Sequence, residues 1–533
     1  MARSNRQPAS GDSPPGQGDT TRKHIRGSSL LLAGRCAALA INLAVQVITV
    51  RYLAKEDFGA FAFGISMVAL GTNLSLLGLT KSLNRFVPIY HEQGDQPRLA
   101  GALVLMFATA LGLGLATVAL VFGLQNVIAE RVASNSLSLS LLLMLIALVP
   151  IDALDGLLQS LFGAFGKVRA ILVRRHLVGP GLKLLAVVGV VVFGGDVRML
   201  AICYVAAGIA GIALYASLLY RLLTQEKLLP YFRPGNWQVP AREIFGYTVP
   251  VFSSQIGFVV RTSLIVLLLE AMRGSEQVAE LRAVFPFARL NEVVLTSFAF
   301  LFTPMASRLF ARNDKRGIDQ LYWRTSVWIL MLSLPAFLVT GVLAKPLTIF
   351  VFGQQYAAAG PVLMILAVGV FIDAVMGFNL HTLRVFAKLR QIVAIDVVSI
   401  STALGLCFLL VPTYGAFGAA VAICSATILQ NVLLQIAMRL TTGVGSLNWH
   451  YVRFYAVSGL GIAALGAAQW AWEPPLLVGL SLAALIYVVL LFCNRALMEV
   501  EDTFPELARI PIVGRLLVVP PKAELTSAAE GRP

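Results

Sequence analysis

The chain of 533 residues is too apolar to be a soluble protein. Hydrophobic residues make up 58% of it, charged residues 13%, and its mean hydropathy is +0.80, whereas a soluble domain carries about 25% charged residues. The formal net charge of +15 is typical of a nucleic-acid-binding protein, but the placement of the charges along the chain excludes that class.

The first 28 residues are rich in Ser, Pro, Gly, Gln and Arg, a composition that predicts a disordered cytoplasmic tail. Fourteen apolar segments follow, and each approaches the length of about 20 residues that a helix needs to cross a bilayer. The sequence therefore predicts an all-α, polytopic membrane protein of about 14 transmembrane helices; a count of 12 stays open. The predicted spans cover residues 29–50, 58–80, 99–123, 137–162, 171–193, 197–222, 244–269, 284–306, 324–345, 360–384, 391–411, 415–440, 450–471 and 475–497.

The longest connection between predicted spans, residues 223–243, contains three prolines and divides the chain into two parts that begin alike. Each part opens with a helix, a short charged loop, a second helix and a proline, which predicts two pseudo-symmetric halves. We expect six-helix bundles over residues 29–222 and 244–440, two extra spans over 441–497, and a cytoplasmic tail over 498–533. That tail either follows the inner membrane surface or is disordered.

The positive charge falls mainly in every second connection between the predicted spans. With the N-terminus in the cytoplasm, 31 of the 42 Lys and Arg residues lie in inner segments, seven in outer loops and four inside spans. This excess of Lys and Arg is typical of cytoplasmic loops. The charge therefore indicates topology, with both termini cytoplasmic, and we expect the lipid bilayer as a partner and no nucleic acid.

The residues that usually carry catalysis or bind metals form no recognisable pattern. The five cysteines lie in or at the ends of predicted spans, the five histidines are scattered, and no nucleotide-binding loop, HExxH motif or nucleophile elbow is present. We therefore predict that the protein is not an enzyme and that it has no cofactor and no metal site.

Polar residues in four predicted spans share one helical face each. Spans 1 and 2 open the first half, spans 7 and 8 open the second, and polar faces at bilayer depth turn toward partner helices or a water-filled cavity. This pattern predicts that these four spans line one central cavity. The candidate substrate-binding residues are Arg35, Asn42 and Gln46 in span 1, Asn73 and Asn84 in span 2, Ser254 and Arg261 in span 7, and Arg289 in span 8.

A structural alternative exists for each of these residues. Small polar side chains often connect packed helices in membranes, and we favour that interpretation for any single Ser or Thr. Arg261 favours a functional role, because a lone arginine at this depth costs about 3 kcal/mol and no acid stands within one turn of it. Both interpretations stay open for Arg289, which has Glu292 three residues on, and for Arg35, which can extend toward the membrane surface.

A second set of charged residues lies off these faces. Asp152 and Asp155 share a face of span 4, and we favour a structural ion pair between one of them and Lys183 of span 5. Asp373 in span 10 and Asp396 in span 11 are candidate ion-coupling residues.

Five segments, in this order, carry a resemblance to a known family. They are Arg51 to Gly59 after span 1, Gly78 to Pro88 at the end of span 2, Tyr247 to Arg261, Lys345 to Tyr356, and Pro412 to Ala420. Their order and spacing over about 450 residues resemble the multidrug/oligosaccharidyl-lipid/polysaccharide (MOP) exporter superfamily, in particular its Wzx-like oligosaccharide flippases. Two positions depart from the family pattern: Ala54 replaces a glycine, and Ser263 stands where relatives often place an acid.

The resemblance implies two six-helix bundles with a V-shaped cavity lined by spans 1, 2, 7 and 8. It implies movement of a polyprenyl-pyrophosphate-linked oligosaccharide from the cytoplasmic to the outer leaflet of a bacterial inner membrane, for the synthesis of surface or exported polysaccharide. The arginines fit this substrate, because guanidinium groups bind phosphate oxygens in a fork geometry. We expect a monomer, with polysaccharide polymerases and glycosyltransferases as candidate partners.

Two other functions are weighed against this one. A cation-coupled multidrug exporter of the same superfamily usually needs an acid high in the first bundle, which span 1 lacks, although Asp373 and Asp396 keep this alternative open. A membrane-bound polymerase or ligase is disfavoured by the short outer loops and by the missing acid–base constellation.

Overall fold

A computed structural model describes residues 17–233, 235–259, 263–445 and 449–498. The side chains of residues 17–33, 168, 250–251, 253–262, 300–301, 446–450 and 496–497 are outside the described part. All regular elements of the described residues are helices, so the predicted all-α class is confirmed. The predicted C-terminal tail lies outside the described residues from position 499 onward.

Twelve helices of the described residues are long and apolar enough to cross a membrane. One of them, Leu389–Thr442, breaks at Gly415, whose backbone angles (φ 54°, ψ −129°) are readily available only to glycine, and it therefore forms two spans. Ala241–Val259 and Ile265–Arg273 flank residues 260–262 and correspond to predicted span 7. The structure thus agrees with a count of about 14.

The first half of the chain contains ten helices that form six spans. Helix α1 begins at Gln17, so residues 17–28, predicted to be disordered, are helical; extending an existing helix costs less than nucleating a new one. The helices are α1 (Gln17–Tyr52), α2 (Lys55–Leu76), α3 (Leu79–Glu92), α4 (Gln96–Gly123), α5 (Gln125–Arg131), α6 (Ser136–Leu145), α7 (Leu148–Ala164), α8 (Val168–Ile171) continued by a π-helical stretch (Leu172–Val178), α9 (Gly179–Val192) and α10 (Val197–Gln225).

The second half contains nine helices among the described residues, and two further spans follow it. A short 3-10 helix, Leu229–Phe232, lies in the connection between the halves. The helices are α11 (Ala241–Val259), α12 (Ile265–Arg273), α13 (Ser275–Ala288), α14 (Glu292–Ala311), α15 (Lys315–Phe337) continued by a π-helical stretch (Leu338–Val342), α16 (Ala344–Phe352), α17 (Ala359–Met376), α18 (Phe378–Val385), α19 (Leu389–Thr442), α20 (Trp449–Trp472) and α21 (Leu476–Met498).

The second span of each half is interrupted at its middle. In the first half α2 ends at Leu77 and Gly78, both of which adopt left-handed backbone angles (φ 46° and 81°) before α3 begins. In the second half a 3-10 turn, Arg289–Asn291, separates α13 from α14. The helix before the break has 22 residues in the first half and 14 in the second, and each break lets the two parts of its span pack against different neighbours.

Four spans begin with a side-chain cap that the sequence supplies at the start of an apolar segment. The carboxylates of Asp95, Asp196 and Asp314 and the amide oxygen of Asn135 each accept a hydrogen bond from the backbone N–H three residues on. Such caps satisfy one of the free N–H groups of the first turn and stabilise a helix by about 1 kcal/mol.

The largest hydrophobic core joins the two halves. It contains buried side chains of α2, α6 and α9 from the first half and of α12, α13, α17 and α19 from the second, including Phe58, Phe63, Leu269 and Val278. The core lies toward the end of the molecule that carries connections 53–54, 132–135, 193–196 and 353–358, here called the predicted outer end. The opposite end, with connections 93–95, 165–167 and 312–314, is the predicted inner end.

Candidate functional site

The two halves meet tightly where α2 packs against α13. A Cβ atom added at Gly59 of α2 would overlap the backbone carbonyl of Ser275, the first residue of α13. Only glycine permits this approach, because any side chain would separate the helices. The α2–α13 contact closes the space between the halves at the predicted outer end.

Polar contacts surround this closure. The Lys55 ammonium of α2 forms a salt bridge of 2.6 Å with the Glu280 carboxylate of α13, and the Glu280 side chain is only 8% exposed. The Arg51 guanidinium donates to the backbone carbonyls of Phe350 and Val351 on α16, at 2.5 and 2.6 Å. Each of these contacts connects a residue of the first half with one of the second.

A buried carboxylate also connects the two halves through hydrogen bonds. The Glu270 side chain of α12 is fully buried, and its Oε1 accepts hydrogen bonds from the hydroxyls of Ser134, Ser138 and Ser275 at 2.6, 2.7 and 2.9 Å. Ser134 and Ser138 belong to the first half and Ser275 to the second. A buried carboxylate needs several donors of this kind.

A cavity of about 280 Å³ lies next to the α2–α13 contact. It is enclosed by α1, α2, α9 and α10 of the first half and by α13 of the second. Two basic side chains and several amide and hydroxyl groups stand among its apolar walls, and its lining within the described part of the chain includes no acid. The polar and charged lining residues are Asn42, Gln46, Ser66, Lys183, Tyr204 and Arg282.

Arg282 connects the cavity to both halves. Its guanidinium donates to the Ser66 hydroxyl of α2 at 2.6 Å, and its backbone carbonyl accepts from the Gln46 amide of α1 at 3.0 Å. Gln46 also donates to the carbonyl of Ala283 at 3.3 Å. The cation is therefore fixed at the wall of the cavity by residues of spans 1 and 2.

Arg289, the first residue of the 3-10 turn after α13, follows Arg282 by seven residues, and both side chains point to the same ring. Both guanidinium groups stand over the ring of Phe285, at 5.6 and 5.8 Å from its centroid. Arg289 also forms a salt bridge of 2.6 Å with Glu292, the local pair that the spacing of three residues allows. Arg282 thus faces the cavity, whereas the carboxylate of Glu292 neutralises part of the Arg289 charge.

Lys183 supplies the second cation of the cavity, from α9. Its ammonium lies 5.7 Å from the centroid of the Tyr204 ring, and within the described ranges it forms no hydrogen bond and no ion pair. Asp152 of α7 attracts this charge electrostatically. The ion pair of the neighbouring carboxylate is with Arg174: Asp155 Oδ1 lies 2.7 Å from the Arg174 guanidinium.

The predicted ion pair between Lys183 and Asp152 or Asp155 is thus not a salt bridge at contact distance among the described residues, although both carboxylates attract the Lys183 charge. Arg174, which the sequence places near the inner end of span 5, belongs to the π-helical stretch Leu172–Val178. A π-helix holds more residues per turn than an α-helix and rotates the faces that follow it. The Arg174 side chain thus contacts Asp155, and the Lys183 side chain lines the cavity.

The other predicted residues of spans 1 and 2 fall in different surroundings. Asn42 lines the cavity beside Gln46. Arg35 is exposed nearer the predicted inner end, where its neighbour Gly34 contacts His176 of the π-helical stretch. The Asn73 amide donates to the Ala69 carbonyl of its own helix at 2.7 Å, and Asn84 is exposed on α3.

Two predicted residues of span 7 cannot be placed. Arg261 lies outside the described residues, and of Ser254 only the backbone, within α11, is described. The predicted roles of both therefore stay predictions.

The candidate ion-coupling residues lie away from the cavity, within the second half. Asp373 Oδ1 accepts from the Asn431 amide at 2.9 Å, and Asp396 Oδ1 accepts from the Gln430 amide at 2.6 Å. Gln430 and Asn431 are consecutive residues of α19, so one turn of this helix contacts both aspartates. The structure thus connects spans 10, 11 and 12 through these four side chains.

Comparison with known proteins places this geometry in a family. A sequence profile described as polysaccharide biosynthesis protein matches residues 25–310, more than half of the chain. The chain belongs to this family. The matched region includes the six spans of the first half and the span pair that carries Glu270, Glu280 and Arg282, so the closure and the cavity lie within the family's own segment.

Individual relatives agree with this assignment. Stage V sporulation protein B of Bacillus subtilis is 22% identical over 93% of this chain and 99% of its own length. Among solved structures, "Lipid II flippase MurJ, inward closed conformation" superimposes with a TM-score of 0.66 at 15% identity, over 89% of this chain and all of that one. An inward-facing multidrug resistance MATE family transporter of the MOP superfamily superimposes with a TM-score of 0.61 at 15% identity, over 76% of this chain and 94% of that one.

The profile match confirms the predicted polysaccharide biosynthesis family, and the structural matches confirm the predicted fold, which is that of MOP-superfamily transporters. With twelve helices of membrane-spanning length among its described residues, this member of the polysaccharide biosynthesis family is a multi-pass membrane protein, as its sequence predicts. At such low identity the structural matches establish the fold alone.

Sequence reasoning missed Arg282, the cation most firmly held in the cavity of this family member. Residues 270–283 look like an outer loop, because Glu276, Glu280 and Arg282 are charged, and span 8 was predicted to begin at 284. The structure begins α13 at Ser275, directly after Gly274, which has φ 82°. Gly274 followed by residues of high helix propensity was the available signal.

Proposed function

We propose that the protein is an alternating-access flippase for a polyprenyl-pyrophosphate-linked oligosaccharide, moving it from the cytoplasmic to the outer leaflet of a bacterial inner membrane. The observation that carries this proposal is the cavity between the halves in which Arg282 and Lys183 face Asn42 and Gln46. A diphosphate bears charge that only cations and dense hydrogen bonding stabilise in a dry site.

Each part of the substrate has a matching part of the protein. The guanidinium of Arg282 and the ammonium of Lys183 bind phosphate oxygens, the first in a planar fork and the second as a point charge. The amides of Asn42 and Gln46 bind sugar hydroxyls, and the lipid chain stays in the bilayer between the halves. Arg35, Arg261 and Arg289 are proposed as further cations along the path.

The arrangement of the halves supports an inward-facing state. The α2–α13 contact, the Lys55–Glu280 salt bridge and the Glu270 cluster close the predicted outer end. Toward the predicted inner end, polar side chains of α3 and α14 such as Asn84 and Thr296 are exposed. Because polar groups rarely face lipid, we infer that these side chains border a cleft between α3 and α14, while α3 contacts α11 through Ser82–Thr248 at 2.6 Å and Tyr90–Glu243 at 3.0 Å.

The test is translocation by the purified full chain in liposomes, with a labelled short-chain polyprenyl-pyrophosphate sugar. We expect Arg282→Ala to reduce transport at least tenfold, since a charge-assisted hydrogen bond is lost, and Arg282→Lys to retain part of it. Arg131→Ala, an exposed arginine of α5, is the matched control and transports normally. Arg261→Ala is measured alongside. Transport by Arg282→Ala at the wild-type rate would overturn the assigned role.

The second candidate function is a cation-coupled multidrug exporter. It is favoured by one observation, the two aspartates that contact consecutive residues of α19 in the second half. Exchange of organic cations by the purified protein, lost in Asp373→Asn, together with no movement of the lipid-linked sugar, would replace the flippase proposal.

A further inference from the structure

An apolar cleft of about 440 Å³ lies within the second half, away from the cavity between the halves. Its walls come from α15, α17, α19 and α20. The part of the cleft near the bilayer middle is formed by Leu330, Phe371, Val375 and Ile462. The added span α20 therefore does not pack flat against the six-helix bundle but leaves a space of molecular size.

The cleft becomes polar toward the predicted inner end. Tyr322, Gln435, Arg439 and Tyr455 line it there, whereas its opposite part is hydrocarbon. A membrane lipid has the same gradient, with its charged headgroup at the surface and its acyl chains toward the bilayer middle. The cleft is thus oriented like a lipid of the leaflet at the predicted inner end.

Arg439 gives the polar part its charge. It stands in the last turn of α19, and its exposed side chain forms no hydrogen bond or ion pair with the other described residues. Arg453 of α20 is also exposed near this end but does not line the cleft. Basic pockets between transmembrane helices on this side of a membrane bind anionic lipid headgroups.

Aromatic side chains place this mouth at the depth of lipid headgroups. The rings of Trp323 and Tyr451 stack at 4.7 Å with an interplanar angle of 8°, and Tyr455 lies at 6.5 Å from Trp323. Trp and Tyr concentrate at membrane–water interfaces, where one part of the ring is apolar and the other wet. The position of this cluster matches a headgroup held by Arg439.

We propose that this cleft binds an anionic phospholipid, with its phosphate at Arg439 and an acyl chain against Phe371, Val375 and Ile462. The charge of Arg439 selects an anionic headgroup over a zwitterionic one. The site is separate from the cavity that holds Arg282, so this proposal does not depend on which substrate the protein moves.

The lipid acts on the interior of the second half through the wall of the cleft. The Tyr322 hydroxyl lies 2.6 Å from Asn379 Oδ1 and 2.9 Å from Gln435 Oε1. Asn379 donates to the backbone carbonyl of Asn431, whose side-chain amide donates to Asp373. An occupied cleft therefore stabilises the side chains that position Asp373.

The test measures lipid binding to the purified full chain in detergent by native mass spectrometry. Phosphatidylglycerol and phosphatidylcholine with the same acyl chains are titrated separately. We expect wild type to bind phosphatidylglycerol about tenfold more tightly, and Arg439→Ala to lose that preference while its binding of phosphatidylcholine is unchanged. Arg453→Ala, an exposed arginine outside the lining of the cleft, is the matched control.

A second variant tests the cleft itself. A Cβ added at Gly459, which lines the cleft, meets no atom within 4 Å, so Gly459→Leu fills the space without disturbing the fold. We expect it to weaken binding of both lipids, whereas Gly405→Leu, in a similarly open position on α19, has no effect. Equal affinity of wild type for the two lipids, or unchanged binding by Gly459→Leu, would overturn the proposal. So would displacement of phosphatidylglycerol by a polyprenyl diphosphate at equal concentration.

Discussion

Gly59 of α2 lies against the backbone carbonyl of Ser275, so closely that a Cβ atom at position 59 would overlap that oxygen. This is a contact between backbones of the two halves, and around it stand Lys55, Glu280 and the Glu270 cluster. Closure of the predicted outer end depends on this approach, and the proposed alternating access requires that it open and close.

Substitution of Gly59 therefore separates the halves. We expect Gly59→Ala to reduce the population of the outer-closed state about tenfold, because overpacking a tight contact costs about 1–3 kcal/mol. Spin labels at Val127 and Tyr414, which are exposed and belong to different halves, measure the change as a longer distance. Gly112→Ala serves as the control, since a Cβ there meets no atom within 4 Å. An unchanged distance distribution in Gly59→Ala would show that this contact does not control closure.

The Lys55–Glu280 salt bridge makes a separable contribution to closure. Each single reversal, Lys55→Glu or Glu280→Lys, places like charges together at a mostly buried site and should destabilise the closed end by about 2 kcal/mol. The double reversal restores the attraction and should recover most of the loss. A double-mutant cycle on the same spin-label distances gives the coupling energy. Additive effects of the two reversals would contradict the assignment.

The hydrogen bonds of Glu270 lead us to expect that two neutral substitutions at this position differ in thermal stability. Glu270→Gln keeps an oxygen that accepts from the three serines, whereas Glu270→Ala leaves their hydroxyls without this acceptor. Because an unsatisfied buried polar group costs about 1–3 kcal/mol, the alanine variant should unfold at a lower temperature than the glutamine variant. Thermal unfolding of the purified chain in detergent measures this. Equal loss in both variants would mean that the carboxylate charge, and not its hydrogen bonds, is what stabilises the cluster.

The sequence predicts the fold of this protein well because the bilayer imposes simple rules. Apolar length gives the spans, and the caps Asp95, Asn135, Asp196 and Asp314 precede four of them. What the sequence does not reveal is the pairing of charges. Lys55 and Glu280 are 225 residues apart, and Ser66 and Arg282 are 216 apart. When only neighbouring residues are considered, a charged residue whose partner is this distant in sequence is assigned to a loop.

The predicted candidate site is found in part for the same reason. Asn42 and Gln46 follow from helical spacing in a regular helix, and both line the cavity. The pairing of Asp155 with Arg174 depends on a π-helical stretch, Leu172–Val178, which no spacing rule foresees. That irregular turn determines which cation of span 5 forms a salt bridge with Asp155, and the other cation, Lys183, lines the cavity.

Lys183 should accordingly contribute to recognition of the diphosphate. We expect Lys183→Ala to weaken binding of a polyprenyl diphosphate about tenfold and Lys183→Arg to retain most of it, since one charge-assisted contact is lost or kept. Fluorescence titration with a labelled diphosphate and with the corresponding monophosphate measures both. Lys167→Ala, which removes a lysine already paired with Glu226 at 3.3 Å, is the control. Equal weakening for an uncharged polyprenol would show that Lys183 acts through packing.

A substitution of Asp373 distinguishes a role in ion coupling from a purely structural role of this residue. If this carboxylate couples an ion to transport, Asp373→Asn should abolish the response of transport to an imposed sodium or proton gradient, a change of about tenfold in rate. Folding should persist, because asparagine keeps the oxygen that accepts from Asn431 at 2.9 Å. Transport in liposomes with and without the gradient measures this, with Asp396→Asn as the second candidate. Asp314→Asn is the control, since asparagine also caps a helix such as α15. A variant that transports slowly but still responds fully to the gradient would assign Asp373 to the packing of spans 10 and 12.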